Sequence, residues 1–166
     1  QQADALLDLT QAINRNVPDE ALFDSYRRVL QALGVGKLAL FCRELESGDW
    51  PCSVEWGYPT KLPRLEDADA VLGGKAHAIV SGGTAVEFDL AIPVEHENEV
   101  IAYVVMGDRE EGRGMSPSIR HVRFITTLTN VLVVALRNRA LTAERIRMAG
   151  LERELALAGE MQAMLL

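Results

Sequence analysis

The C-terminal third of the sequence contains no proline between Pro117 and Leu166. The Ser116-Pro117 pair is typical of a helix start, because a serine side chain caps free backbone N–H groups and proline fits the first turn. One uninterrupted helix of about 48 residues would be about 70 Å long. A folded domain of about 115 residues is only about 30 Å across. We therefore expect the last third of this helix to extend beyond a folded domain.

Apolar side chains recur in this last part at alternating three- and four-residue steps, which is the heptad pattern of a coiled coil. In that register Arg147 and Glu152 occupy g and e positions that are complementary across a parallel dimer. Gly150 and Gly159 lie off the seam, and each costs a helix about 1 kcal/mol relative to alanine. The pattern predicts a marginal parallel coiled coil, with a helix packed on its own domain as the alternative. The predicted seam consists of Leu141, Met148, Leu151, Leu155, Ala158 and Leu165.

Upstream of this helix the hydrophobic pattern predicts an α+β domain. Two amphipathic helices precede the first strand. Residues 37–44 and 53–57 read as a hairpin, and residues 84–94 and 100–106 as a second antiparallel hairpin joined by a short polar link. The irregular segment between the hairpins contains a predicted short helix over residues 75–80. The run 100–106 is apolar throughout, as expected for a strand covered on both faces.

Composition narrows the class of protein. The net charge is −7 and the isoelectric point is near 5.0, which argues against a nucleic-acid partner. No apolar run reaches the roughly 18 residues of a membrane span, and the first nine residues do not form a secretory signal. Cys42 and Cys52 are interpreted as free thiols in a reducing compartment, so we expect a cytoplasmic protein. Gln1 is not an initiator methionine and Leu166 ends a helical pattern, which indicates a piece of a longer chain.

Three stretches resemble the GAF domain, a regulatory fold related to PAS. They are LGVGKLALF (residues 33–41), SGGTAVEFD (81–89) and LAIPVEHENEVIAYVVMGD (90–108). The resemblance covers roughly residues 5–140. It implies an antiparallel sheet flanked by helices, with dimerising helices on one face and a small-molecule pocket on the other. On this basis residues 1–140 are assigned to a sensory domain and residues 141–166 to a coiled-coil signalling helix.

The tail LERELALAGEMQAMLL (residues 151–166) resembles the helix that precedes the catalytic domain in bacterial protein phosphatase 2C regulators of sporulation and stress response. That family's pattern is an acidic-apolar helix ending in Gln-x-x-Leu-Leu-Pro, and Glu160, Gln162, Leu165 and Leu166 match it. The resemblance implies a homodimeric sensory module that controls a serine/threonine phosphatase domain in the same polypeptide, within a partner-switching system. The sensor of a histidine kinase or of a cyclase is an alternative output.

Motifs for catalysis are missing from the sequence. His77, His96 and His121 have no metal-ligand spacing, and no phosphate-binding loop is present. We therefore predict no catalytic residue, metal or cofactor. A redox-active GAF protein of the methionine sulfoxide reductase type, using Cys42 and Cys52, is the enzymatic alternative. That family places its catalytic cysteine before the closing hairpin, where residues 86–90 contain none.

Two sets of residues remain as candidates for binding. Side chains near the irregular segment are candidates for contact with an unknown small molecule: Trp56, Tyr58, His77 and Phe88. Apolar side chains of the first and last helices are candidates, together with the seam, for a dimer interface: Leu6, Leu9, Ile13, Leu128 and Leu132.

Overall fold

The computed structural model of the chain describes residues 2–73, 78–81, 83–107 and 120–166, and its contacts divide it into two units, Gln1–Val134 and Ala135–Leu166. The described helices are α1 Gln2–Asn14, α2 Asp19–Ala32, α3 Ala68–Leu72 and α4 Val122–Leu165. The described strands are β1 Leu38–Cys42, β2 Cys52–Trp56, β3 Ala78–Ser81, β4 Thr84–Glu87, β5 Leu90–His96 and β6 Glu99–Met106.

Four strands form the main sheet in the order β2-β1-β6-β5, and every neighbouring pair is antiparallel. Both predicted hairpins are present, since β1 pairs with β2 and β5 pairs with β6. The predicted extended segment 84–94 is divided, however, because residues 84–87 form β4 of another sheet and β5 begins at Leu90. The β5–β6 connection turns at Glu97 and Asn98, whose φ angles are 52° and 64°. Two consecutive residues with positive φ are the geometry of a tight hairpin that matches the twist of its strands. Strands β3 and β4 form a separate two-stranded sheet.

Strand β6 is buried along its last six residues, as its uniformly apolar sequence predicted. Successive side chains in a strand point to opposite faces. Tyr103 and Val105 belong to an apolar cluster on one face of the sheet. Val104 and Met106 therefore face the other side, and both are fully buried. The sheet is covered on both faces.

Helix α2 covers the face that Val104 and Met106 share. Asp19 and Glu20 stabilise its first turn through the helix dipole. Leu22, Tyr26 and Leu30, four residues apart, are completely buried on one stripe. The chain leaves the helix at Gly34, whose φ angle is 93°. Residues with a Cβ adopt such a positive φ only at a cost in free energy. We call this side of the sheet the helix face.

One buried polar contact joins α2 to α4. Tyr26 Oη and Thr129 Oγ1 are 2.6 Å apart, and Thr129 Oγ1 also donates to the carbonyl of Ile125 at 2.6 Å. A carbonyl can only accept, so the single threonine proton is used there and Tyr26 must be the donor to Thr129. Burial raises the pKa of Tyr26 well above its usual value, which keeps the phenol protonated.

The structure corrects the sequence prediction in the irregular segment. The prediction of a short helix over residues 75–80 is wrong for residues 78–80, because Ala78–Ser81 is strand β3. Residues 75–77 lie outside the described residues. A helix that the pattern did not predict, α3, lies just upstream at Ala68–Leu72. The predicted helix start at Ser116-Pro117 also lies outside the described residues.

We expect the Tyr26–Thr129 contact to show strong coupling in stability. Thr129→Val leaves the buried Tyr26 hydroxyl without an acceptor and should cost about 1–3 kcal/mol of unfolding free energy. Tyr26→Phe leaves the Thr129–Ile125 bond intact and should cost about 0.5–1.5 kcal/mol. The double variant should be less destabilised than the sum of the two, since no buried group is then unpaired. Urea unfolding of the three variants and the wild type measures this, and additive losses would contradict it.

Candidate functional site

The candidate site is an apolar cluster on the face of the sheet opposite the helix face. Strands β1 and β6 supply its floor. Trp50, just before β2, and residues of the chain between β2 and β5 supply its cover. All its members are at most 7% exposed, so it is a filled core. We call it the outer-face cluster, and its residues are Ala39, Phe41, Trp50, Leu62, Leu65, Ala68, Leu72, Ile79, Val86, Phe88, Tyr103 and Val105.

Trp50 is the largest side chain of the outer-face cluster. Its backbone exchanges two hydrogen bonds with Leu65, of 2.7 and 2.9 Å, which fasten the irregular segment beside β1 and β2. Its ring packs against Tyr103 with centroids 5.5 Å apart. The guanidinium of Arg43 lies 5.7 Å from the ring centroid and is itself 3.1 Å from Glu99 Oε1. The aromatic surface of Trp50 is thus covered by the chain's own side chains.

Tyr103 brings a polar group to the outer-face cluster. Its hydroxyl donates to Asp69 Oδ1 at 2.5 Å, which links strand β6 to helix α3. Burial raises the pKa of Tyr103, and the hydrogen bond and negative charge of Asp69 raise it further. Neither Tyr103 nor Asp69 was among the candidates from the sequence. A single tyrosine within an apolar strand is a usable signal, because a buried phenol needs a partner, but nothing in the sequence identifies Asp69 as that partner.

The four ligand candidates are not all brought together. Phe88 belongs to the outer-face cluster and Tyr58 is half-buried against it. Trp56 lies on the helix face, where its ring meets Tyr26 edge-on at 6.5 Å and its Nε1 donates to the carbonyl of Val35 at 3.0 Å. His77 lies outside the described residues. Of the aromatic candidates, Tyr58 and Phe88 alone share the outer face.

A bulge in the β1–β2 pairing decides where Cys52 points. Leu40 pairs with Val54, but Phe41 pairs with Cys52, so the alternation of side chains shifts between them. Cys52 consequently packs against the outer-face cluster. Its thiol has two acceptors within reach, the carbonyl of Val54 at 3.5 Å and Glu55 Oε2 at 3.8 Å. The same carboxylate oxygen accepts the backbone N–H of Leu62 at 2.9 Å.

The two cysteines form no disulfide and lie on opposite faces of the sheet. Cys42 follows Phe41 in β1 and so faces the helix side, where it acts on the pKa of Tyr26. Burial, and next the charge of Glu55, raise the pKa of Cys52 to about 12. A thiol of that kind is a poor nucleophile at neutral pH. This placement gives no support to a redox pair of Cys42 and Cys52.

Within the described residues, no three His, Cys, Asp or Glu side chains are grouped as a metal site would require. No described helix is long and apolar enough to cross a membrane.

In the unit Ala135–Leu166, the apolar side chains of the helix are exposed from Leu141 onward. The predicted seam residues Leu155 and Leu165 are 73% and 86% exposed, and the other seam residues are exposed as well. Space is open around Gly150 and Gly159. Arg147 forms an ion pair of 2.7 Å with Glu144 in the preceding turn.

The other residues expected at a dimer interface are partly covered within one chain. Leu128 and Leu132 are fully buried and Leu9 is 2% exposed, because all three pack into the core. Leu6 and Ile13 are half-buried. Leu9, Leu128 and Leu132 therefore serve the core of the single chain, and the dimer interface stays a prediction.

Among solved structures, the chain is similar to the GAF domain of a phosphoenolpyruvate-protein phosphotransferase from Acinetobacter. The TM-score is 0.55, the sequence identity is 18%, and the match covers 82% of this chain and 93% of that one. This likeness shows the fold alone. The chain has the GAF fold, an α+β arrangement with an antiparallel sheet and a long C-terminal helix. No family model matches the sequence, and no curated protein matches it.

The pKa of Cys52 predicts its reactivity. In a Cys42→Ser variant, alkylation of the folded protein by iodoacetamide at pH 8 should be about a hundredfold slower than that of the same variant unfolded in urea, because the thiolate is the reacting form. The folded-state rate should still rise with pH above pH 9, where the unfolded thiol has already ionised. Equal rates in the two states would contradict the raised pKa.

Proposed function

We propose that this chain is the sensory and dimerisation module of a bacterial signal-transduction protein, and that it controls a serine/threonine protein phosphatase domain of the same polypeptide. In this proposal the protein is cytoplasmic and homodimeric, and the chain regulates without catalysing. The observation that carries it is the row of exposed apolar side chains at heptad spacing between Leu141 and Leu165. Water-exposed leucines at that spacing are stabilised when a second helix covers them.

A parallel dimer accounts for both the apolar and the charged positions of the tail. At the a and d positions, Met148, Leu151 and Leu155 would insert between side chains of the facing helix. Arg147 at g would then lie opposite Glu152 at e of the second copy. In the single chain Arg147 forms an ion pair with Glu144. In the dimer Arg147 would either exchange Glu144 for Glu152 of the second copy or contact both carboxylates.

The GAF fold supports the sensory part of the proposal. Its outer-face cluster lies on the side of the sheet away from α2, with the aromatic side chains of Trp50, Phe88 and Tyr103 gathered in one place. Ligand sites in proteins are commonly lined by apolar and aromatic side chains with a few placed polar groups. Here the Tyr103–Asp69 pair supplies such a polar group.

The phosphatase part of the proposal rests on the tail sequence. Glu160, Gln162, Leu165 and Leu166 match the pattern of the helix preceding protein phosphatase 2C domains in partner-switching regulators. All four side chains are exposed and therefore available to a neighbouring domain.

Matched leucine substitutions test the dimer. Leu155→Ala removes a seam residue from both chains, which should cost the dimer about 2 kcal/mol or more and raise its dissociation constant at least about thirtyfold. Leu157→Ala is the control, since Leu157 is also exposed but lies off the seam. Light scattering across a concentration series should show the Leu155 variant dissociating first. A monomeric wild type at tens of micromolar, or an equal effect of both changes, would contradict the proposal.

Two opposed double variants test whether the helix transmits a signal. Gly150→Ala with Gly159→Ala should stabilise the tail by up to about 2 kcal/mol per chain. Leu151→Ala with Leu155→Ala should destabilise it, because the facing helix is left with holes. In the full-length protein the two should shift phosphatase rate on a phosphoserine substrate in opposite directions. Rates equal to wild type in both variants would show that the helix is a passive tether.

A further inference from the structure

A ligand cannot enter the outer-face cluster as it stands. Its twelve members are between 0% and 7% exposed, so the space is filled by the chain's own side chains. Binding there requires that one covering element moves away. The covering element that is least firmly attached moves away most readily.

Strands β1 and β6 and the tryptophan segment are held by backbone hydrogen bonds, and β3 is paired with β4 over four residues. Ala39 and Phe41 in β1 pair with Val105 and Tyr103 in β6. Trp50 is tied to Leu65 by two backbone hydrogen bonds. Separating β1 from β6, or Trp50 from Leu65, would break several backbone hydrogen bonds at once. The backbone N–H and C=O groups would then be unpaired in apolar surroundings.

Helix α3 is held differently. It has five residues, and a helix that short depends on tertiary contacts for its stability. Asp67 accepts hydrogen bonds from the backbone N–H groups of Ala70 and Val71, and the N–H of Gly73 donates to the carbonyl of Asp69. All three bonds remain within this short segment. Ala68 and Leu72 are its buried anchors.

A single hydrogen bond between described residues joins residues 67–73 to another element. In it the Tyr103 hydroxyl donates to Asp69. Gly73 lies against the same hydroxyl, because a Cβ placed there would be 3.2 Å from Tyr103 Oη. The hydrogen bond therefore lies at the contact between α3 and β6. Since Asp69 is exposed at the surface, the bond is open to competition from water.

We infer that α3 is the movable cover of the outer-face cluster, held shut by the Tyr103–Asp69 hydrogen bond, and that its opening admits a small, uncharged, mainly apolar molecule. This rests on the proposed sensory function, for which it supplies the entry point and the class of ligand. An opened α3 exposes the apolar cluster around Trp50 and Tyr103, which favours an apolar ligand.

Among the described residues, the charges beside the Tyr103 hydroxyl disfavour an anion at this entrance. The charged groups that act on the Tyr103 hydroxyl are the carboxylates of Asp69, Asp67 and Glu95. The nearby cation of Arg43 is 3.1 Å from Glu99, so its charge is locally balanced. A carboxylate or phosphate group entering beside α3 would meet like charges with little water to screen them.

Hydrogen exchange tests the cover. Tyr103→Phe and Asp69→Ala break the same bond from opposite ends, and the second changes an exposed residue that leaves the core intact. Both should raise amide exchange in residues 67–73 on the order of tenfold, while β1 and β6 remain protected. Asp69→Asn keeps an acceptor oxygen and should exchange more slowly than Asp69→Ala. Tyr26→Phe is the matched control, since it removes a phenol hydroxyl from the helix face and should leave α3 unchanged.

Two fluorescent probes test the ligand class. N-phenyl-1-naphthylamine is uncharged, whereas 1-anilinonaphthalene-8-sulfonate carries the same aromatic frame with a negative charge. The neutral probe should bind Tyr103→Phe and Asp69→Ala several-fold more tightly than wild type or Tyr26→Phe. In Tyr103→Phe, which keeps the Asp69 carboxylate, the neutral probe should bind more tightly than the anionic probe.

Three outcomes would overturn the inference. Exchange in residues 67–73 that is unchanged in both variants, or raised equally throughout the sheet, removes α3 as a cover. Equal or tighter binding of the anionic probe by Tyr103→Phe removes the ligand class. Tail dimerisation, on which the proposed function depends, is measured separately by light scattering and should be the same in all these variants.

Discussion

The arrangement of the first unit depends on strand β6 being apolar on both faces. A strand of this kind cannot face water on either side, so the chain must build two layers around it. Helices α2 and α4 supply one layer through Tyr26, Leu30, Leu128 and Leu132. The outer-face cluster supplies the other, and most of it comes from a stretch with little regular structure. The candidate site is therefore a consequence of covering the second face.

The two faces satisfy their buried phenols in different ways. Tyr26 donates to Thr129, whose own proton goes to a helix carbonyl, and every group in that chain is buried. Such a contact is costly to break because nothing replaces the lost partner. Tyr103 instead donates to Asp69, a carboxylate at the surface, where water is a ready substitute. The helix face is thereby the rigid side of the sheet and the outer face the side able to open.

The second unit poses a separate physical problem. Leu155, Met161, Met164 and Leu165 are all more than 60% exposed in a helix that carries open space around both its glycines. Burying such side chains against a second helix lowers the free energy through the hydrophobic effect, while the two glycines keep the gain small. A pairing of modest stability is one that a modest ligand-binding free energy can shift. The proposed relay depends on that balance.

Local patterns in the sequence determined the α+β class, both antiparallel hairpins, the doubly covered strand β6 and the long C-terminal helix. Periodicity, turn residues and a uniformly apolar run act over a few residues, so they are readable without the fold. Tertiary structure alone decided the side of the sheet on which residues meet. The bulge after Leu40 moved Cys52 to the outer face, strand alternation took Trp56 to the helix face, and folding brought Asp69 to Tyr103. It also buried Leu128 and Leu132, which their helical pattern alone left free for a dimer. Each of these contacts joins residues distant in sequence or depends on the bulge between β1 and β2. Short-range sequence patterns encode neither long-range contacts nor the position of a bulge.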